Sequence, residues 1–302
     1  NNKTAGSEEI IFAAMNNSAS GANGKAWAWN GTDVINETKL VTETLAASNA
    51  GKEAIAVAYA GDGDLAMVIA GAGADGGINY TTWDGVAWAA VAGYDIDPTA
   101  AEVSDALWVR LKADPATDDM QAMHIDSGDD IGTAYWDGST WTVKRNLDEA
   151  VDSSTTRVAD FAWNSSDSVG ILVTDTDTTG PILNLTQCAP QCTQTFFNNQ
   201  VNFWNTGAWV QMVTNPDAKD NISILGARMT ADFNIGMFGW NGSNLTNYGH
   251  NITNTNTSVI TFESLSIAFK LNDSLMEAGV NLTLDGVNDN VTISEGDEVN
   301  IS

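Results

Sequence analysis

Histidine, cysteine, proline and positive charge are all scarce in this chain of 302 residues: two His, two Cys, five Pro and 12 Lys plus Arg. The two histidines, His124 and His250, stand far apart with no nucleophile and orienting acid placed beside them. A catalytic set built on an imidazole base is therefore not expected, and the chain reads as a non-enzyme. Against 39 acidic residues the few basic ones leave a formal net charge of −27. Such a surface repels nucleic-acid phosphates and anionic head groups, which excludes nucleic-acid partners. No apolar run reaches the length of a membrane span, the longest stretch near 65–74 being broken by glycine, so no membrane insertion is expected. Amphipathic helical periodicity is missing as well.

What is present is apolar and aromatic: 43% hydrophobic residues and 11 Trp, too much for a disordered chain. The pair Cys188 and Cys192 in Cys-Ala-Pro-Gln-Cys is too small to complete a zinc site. It reads as a local disulfide stapling a turn, which implies an oxidising compartment. Asn-X-Ser/Thr acceptors occur at Asn2, Asn16, Asn30, Asn36, Asn79, Asn164, Asn184, Asn221, Asn241, Asn244, Asn251, Asn256, Asn272, Asn281, Asn290 and Asn300. Chance placement would give about five, so this density points to a secreted, glycosylated protein at the cell surface. The N-terminus lacks the basic-then-apolar pattern of a signal peptide, so any such peptide lies before Asn1.

Internal repetition organises the chain. Trp29-Asn30-Gly31, Trp83-Asp84-Gly85 and Trp136-Asp137-Gly138 recur at intervals of about fifty residues, and Trp240-Asn241-Gly242 lies about two intervals further on. The cysteine pair falls where the missing copy is due. Two unit types alternate. Leu107-Trp108-Val109-Arg110-Leu111 matches Ala208-Trp209-Val210-Gln211-Met212, while Ala54 to Tyr59 matches Arg157 to Ala162 and Ser264 to Phe269. Within a unit the period is two. Strands are predicted at Glu53–Ala60, Asp64–Ala70, Gly77–Trp83 and Val86–Gly93, then at Leu107–Ala113, Met120–Asp126, Ile131–Trp136 and Thr140–Leu147. Asp84-Gly85 and Asp137-Gly138 predict type I′ hairpins, with positive φ at both residues.

Four short antiparallel strands in about fifty residues is one propeller blade. The expected fold is all-β: a β-propeller over 1–271 with five four-stranded blades, or six if the true start lies upstream of Asn1. The first unit lacks its first strand, and Phe262–Leu271 is expected to supply it and close the ring. Residues 272–302 alternate cleanly and are expected to form a β extension or the start of an Ig-like domain.

Two further features carry chemical readings. The turns Asp62-Gly63-Asp64, Asp126 to Asp130 and Asp175-Thr176-Asp177 gather oxygen ligands, but without the pattern of a calcium loop, so polar turns are the favoured reading and no cofactor is assigned. The Trp-Asx-Gly indoles either pack between blades or serve as carbohydrate platforms, and their recurrence favours packing.

Through Trp83-Asp84-Gly85, Trp136-Asp137-Gly138 and Leu107 to Leu111 with Asp114-Pro115, the chain resembles propeller-like proteins of archaeal and bacterial cell surfaces. With the dense acceptors, that resemblance implies an archaeal surface glycoprotein of a lattice, pilus-like filament or adhesin; the acceptors, the acidic surface and the C-terminal strands left without partners lead to the expectation of a structural subunit of an extracellular filament or surface layer, self-associating through β-strand contacts. The alternative is a lectin-like adhesin that binds carbohydrate between blades. A propeller hydrolase is a third reading, and the resemblance implies no catalytic residues.

Overall fold

The strands are short and rich in β-branched, aromatic and small residues, and they assemble into six separate antiparallel sheets in a computed structural model. It describes residues 9–16, 23–41, 52–61, 63–71, 77–95, 105–115, 117–148, 156–164, 170–175, 182–188, 195–202, 207–215, 224–230, 235–242, 244–252, 265–270, 279–284 and 291–293, with side chains confined to parts of 9–142, 156–164 and 209–248. The first sheet holds β1 (Ile10–Asn16), β2 (Asn23–Trp29) and β3 (Val34–Val41). The second holds β4 (Ile55–Tyr59), β5 (Ala66–Gly71), β6 (Gly77–Trp83) and β7 (Ala92–Asp95). In the third lie β8 (Ala106–Ala113), β9 (Met120–Asp126), β10 (Ile131–Trp136) and β11 (Trp141–Asp148). The fourth is β12 (Ala159–Trp163), β13 (Gly170–Asp175), β14 (Ile182–Cys188) and β15 (Thr195–Asn202). The fifth is β16 (Gly207–Thr214), β17 (Ile224–Thr230), β18 (Ile235–Trp240) and β19 (Leu245–Ile252), and the sixth is β20 (Leu265–Lys270), β21 (Gly279–Leu284) and β22 (Val291–Ile293).

Strand order within every sheet follows chain order, and the leading strands lie side by side: β1 against β4, then β8, β12, β16 and β20. This is a β-propeller, and the predicted fold class stands. Its ends depart from expectation. β20 does not pair with β1 to complete the first sheet; among the described residues it pairs with β21, Leu265 opposite Leu284, and opens a sixth sheet. β21 in turn pairs with β22, so these strands of the 272–302 segment continue the sheet of β20. A partner a few residues away closes a much smaller loop than one at the opposite end of the chain, which favours the local hairpin.

The core lies in the seams between sheets. Ile11, Ala26 and Ala28 of the first sheet pack against Ala66, Val68, Ala70 and Trp83 of the second. Alternate residues Met67 and Ile69 turn the other way, toward Val109, Leu111, Met120 and Ala122 of the third sheet. Met123, Ile125 and Tyr135 then meet Phe161 and Trp163 of the fourth, and Ala162 meets Val210, Phe238 and Trp240 of the fifth. β5, β9, β10 and β12 are thus buried along their whole length, because both faces of an inner sheet are covered.

The Trp-Asx-Gly segments work in a way the sequence reading missed. Gly31, Gly85, Gly138 and Gly242 have φ between 87° and 96°, but the preceding Asx does not share the positive φ that a type I′ turn needs. The Asx side chain closes the loop instead. Asp84 Oδ1 accepts from the N–H groups of Val86 (2.9 Å) and Ala87 (2.8 Å), and Asp137 Oδ1 from those of Ser139 (2.9 Å) and Thr140 (2.7 Å). These donors, Thr140 N–H foremost, hold the Asp137 carboxyl down at about 2. The indoles preceding the turns are core: Trp83, Trp136 and Trp240 are 1%, 6% and 0% exposed. The packing reading holds for these three. In the fourth sheet β14 ends at Cys188 and pairs there with Thr195, so the cysteine segment occupies the same third-to-fourth connection. The Cys188 side chain and Cys192 lie outside the described residues.

Close packing makes one glycine sensitive. A Cβ on Gly132 would collide with the imidazole of His124 on the paired strand β9. Gly132→Ala is expected to cost about 1–3 kcal/mol, read as a lower urea midpoint at unchanged slope.

Candidate functional site

The first sheet differs from the inner ones in having one face covered. Along β1, Ile11 is buried and Ala13 half-buried, whereas Ile10, Phe12 and Ala14 are exposed. Along β2, Gly24, Ala26 and Ala28 are buried while Lys25, Trp27 and Trp29 face outward. The strand pleat does this, sending alternate side chains to opposite faces. On the outward face, register places Phe12 opposite Trp27 and Trp27 opposite Glu37.

Four side chains meet there. The rings of Phe12 and Trp27 stack with centroids 5.3 Å apart and planes inclined by 18°. Trp27 Nε1 donates to Glu37 Oε2 at 2.7 Å, and Lys25 Nζ donates to Glu37 Oε1 at 2.7 Å. These bonds, the lysine's first, hold the Glu37 carboxyl below its ordinary range, so it is ionised at neutral pH. Phe12 is 40% exposed and the Glu37 side chain 50%. The result is an aromatic platform with an oriented carboxylate and an ammonium at its edge. Ring faces can receive the apolar face of a pyranose while the charged pair exchanges hydrogen bonds with its hydroxyls.

A second aromatic cluster lies in the seam between the second and third sheets. Tyr80 on β6 and Tyr94 on β7 meet Trp136 and Trp141, which flank the Asp137-Gly138 turn. Centroids are 5.7 Å apart for Tyr80–Trp136, 5.8 Å for Tyr80–Trp141, 4.9 Å for Tyr94–Trp141 and 5.5 Å for Trp136–Trp141.

Around the axis the leading strands carry a third group. Arg157, 1% exposed, donates from NH1 to Glu53 Oε2 (2.8 Å), from NH2 to Gln211 Oε1 (2.8 Å) and from Nε to Val210 O (3.2 Å). Arg110 NH2 reaches the same Glu53 oxygen at 2.9 Å. Backbone bonds from Val109 N to Glu53 O and from Val210 N to Arg157 O make Glu53 and Arg157 equivalent. The alternating units therefore align one residue away from the match expected between Ala54 and Arg157. Every Arg157 donor direction given above is used by the protein itself, so this group joins sheets.

The predicted site residues are dispersed. Asn30, Asn241 and Asn244 are exposed, and Asn79 is half-buried. Asn164 is 1% exposed, which leaves a glycan no room at that acceptor in the folded chain. Asn16, Asn36, Asn184, Asn251 and Asn281 lie on described strands without described side chains. Asn2, Asn221, Asn256, Asn272, Asn290 and Asn300 fall outside the described residues. His124 is enclosed on β9, and burial lowers it to about 4. In the Asp126 turn, Asp126 Oδ1 accepts from Gly128 and Asp130 N–H groups. Among the described residues no three His, Cys, Asp or Glu side chains converge as metal ligands.

No protein-family model matches the sequence, and no curated protein matches it. Solved structures do. The chain is similar to the SapL1 lectin in complex with α-methyl fucoside, at 16% identity over 92% of this chain and 84% of that one, with a TM-score of 0.54. It is similar to a variant of the Aleuria aurantia lectin, a six-bladed β-propeller, in complex with α-methyl-L-fucoside, at 11% identity over 92% and 89%, TM-score 0.50. A protein described as a 6-phosphogluconolactonase from Bacteroides uniformis matches at 11% identity over 95% and 81%, TM-score 0.52. At these identities the likeness concerns the fold.

Proposed function

We propose that this protein is a carbohydrate-binding propeller and that the outward face of the first sheet is a sugar site. The observation that carries the reading is the stack of exposed Phe12 on half-buried Trp27, with Glu37 fixed at its edge by Trp27 and Lys25. A stack made only for packing would be covered. The propeller fold shared with lectins bound to fucosides supports the same reading, and it favours the lectin-like alternative over the self-assembling filament or layer subunit, which gains nothing from those neighbours. The site asks for a neutral sugar with an apolar ring face and vicinal hydroxyls, and it needs no catalytic group. The extracellular setting argued from the acceptor sites and the cysteine pair suits a glycan partner.

Glycan-array screening followed by calorimetry tests this. Trp27→Ala is expected to weaken binding at least about tenfold, the loss of one stacking ring, with little change in melting temperature. Glu37→Gln should weaken it less, since the amide still accepts from Trp27. Unchanged affinity in Trp27→Ala would remove the first sheet as the site. Absence of binding across a broad array would remove the function.

A further inference from the structure

The Trp-Asx-Gly turns come in two chemical versions that differ at one side-chain atom of the cap. In the second and third sheets the cap is Asp84 or Asp137; in the first and fifth it is Asn30 or Asn241. Asn30 Oδ1 accepts from Thr32 N–H (3.1 Å), Thr32 Oγ1 (2.9 Å) and Asp33 N–H (2.9 Å). Asp137 Oδ1 repeats that set, taking Ser139 N–H (2.9 Å), Ser139 Oγ (2.8 Å) and Thr140 N–H (2.7 Å). Asn241 Oδ1 accepts from the Asn244 N–H at 2.7 Å. An ionised acceptor makes the stronger bonds, so closing the loop alone favours aspartate. What asparagine adds is the Nδ2 amide nitrogen, and at Asn30 all of these side-chain bonds run to Oδ1 instead.

The surroundings leave that nitrogen room. Asn30, Thr32 and Asp33 are all exposed in the hairpin between β2 and β3. An added Cβ at Gly85, Gly138 or Gly242, the glycines of the sister turns, would meet nothing within 4 Å. Acceptors elsewhere are worse placed: Asn79 is half-buried inside β6, and Asn164 is enclosed. Asn30-Gly31-Thr32 is a complete acceptor triplet, with the threonine hydroxyl already against the asparagine side chain. We propose that Asn30 carries an N-linked glycan and that the Trp-Asx-Gly turn is the scaffold that presents it, Oδ1 closing the loop while Nδ2 holds the sugar.

The step takes a transferase and an oligosaccharide linked through phosphate to a lipid. Asn30 Nδ2 attacks the anomeric carbon of that donor. The C–N bond forms as the anomeric C–O bond breaks, the lipid phosphate leaves with the electron pair, and one amide proton passes to a base of the transferase. The product is still an amide with its carbonyl intact, so Oδ1 goes on accepting the same bonds and the turn keeps its shape. An aspartate closes the loop equally well and offers no nitrogen. Asparagine or aspartate at this one position therefore decides which sheets carry a glycan at this corner. The acceptor shares no residue with the Phe12, Trp27 and Glu37 platform, so its test is separate from that of the sugar-binding reading.

Peptide mapping by mass spectrometry of the full chain, secreted from cells that attach N-linked glycans, tests it. The Asn30 peptide is expected to be occupied in most molecules and the Asn164 peptide in almost none. Thr32→Val gives the first turn the residue that Val86 contributes to the second, so the loop should close as before while occupancy at Asn30 falls at least about tenfold. Asp137→Asn completes a triplet with Gly138 and Ser139 in the third turn and should gain a glycan there. Melting temperatures of both variants, measured on chains produced without glycans, should stay within about 3 °C of wild type, because both changes are exposed and keep Oδ1. An unmodified Asn30 overturns the proposal, and so does a Thr32→Val chain still modified there. An Asp137→Asn protein that folds as wild type and gains no glycan also overturns it, because the turn would then not be what presents the nitrogen.

Discussion

Replacing Asp160 with alanine is expected to lower folding stability by about 3–5 kcal/mol, the cost of stripping a buried ion of its partner. Asp160 on β12 is wholly enclosed, and its two oxygens accept from Lys112 Nζ at 2.9 and 3.0 Å. One of them also accepts from the Met212 N–H at 2.7 Å. Lys112 stands on β8, and its ammonium additionally donates to Met212 O at 2.9 Å and to Phe161 O. One carboxylate and one ammonium therefore tie the leading strands of the third, fourth and fifth sheets together. Trp163 extends the tie, donating from Nε1 to Lys112 O at 2.8 Å while its own carbonyl accepts from Thr214 Oγ1 at 2.7 Å. Burial pushes the Lys112 pKa down and Asp160 pushes back. Without the carboxylate the ammonium keeps its desolvation cost and loses its compensation. Lys112→Met should also destabilise, and the double variant Lys112→Met/Asp160→Ala should lose less than the two single losses together, by about 2 kcal/mol. Urea denaturation of the four proteins closes the cycle. Additivity within about 0.5 kcal/mol would mean that the pair does not act as a unit.

That tie was out of reach for a sequence reading, and the reason is geometric. Lys112, Asp160 and Met212 are about fifty residues apart and meet only because consecutive sheets present their leading strands to one axis. Local patterns were legible. The predicted limits of β6, β9 and β10 match the structure, since each is fenced by acidic or glycine turns. β7 starts later than Val86, because Val86–Val91 makes only a bridge from Trp83 to Trp88 before the ladder forms. The one-residue misalignment of Ala54 with Arg157 has a cause too. β12 is buried on both faces and β4 is half-buried on either side of the exposed Val57, so neither shows the in-out alternation that fixes register, and apolar similarity alone cannot choose between offsets. The first-sheet site does have a readable signal in the sequence. In Gly24-Lys25-Ala26-Trp27-Ala28-Trp29 the small residues alternate with lysine and tryptophan, which marks the bulky side as uncovered once the alanines are assigned to the core. Which acid would join Trp27 could not be read, because β3 pairs with register shifts near both ends of β2.

Acidification supplies the remaining large effect. His124 is buried with Nδ1 unpartnered, and burial lowers its pKa from 6.5 to about 4. A group depressed in the folded state stabilises fully above its unfolded value, and that stability is lost as pH falls toward the folded value. The unfolded chain binds a proton between pH 6.5 and 4 that the folded chain refuses, so unfolding becomes easier on the way down. With about 1.36 kcal/mol for each unit, the shift corresponds to about 3 kcal/mol over that window. His124→Phe removes the titration without removing a bond from Nδ1, and the glycine at 132 already leaves space for a flat ring. The variant should match wild type within about 1 kcal/mol at pH 7.5 and pull ahead progressively below pH 6.5. Other groups do not mimic this. Asp84 and Asp137, held low by backbone N–H groups, lose their contribution only below the ordinary aspartate range. Asp105, raised by burial, acts with the opposite sign and is common to both proteins. Denaturation midpoints at half-unit steps from pH 7.5 to 4 separate the cases: parallel curves for the two proteins would place the acid sensitivity somewhere other than the imidazole wedged against Gly132.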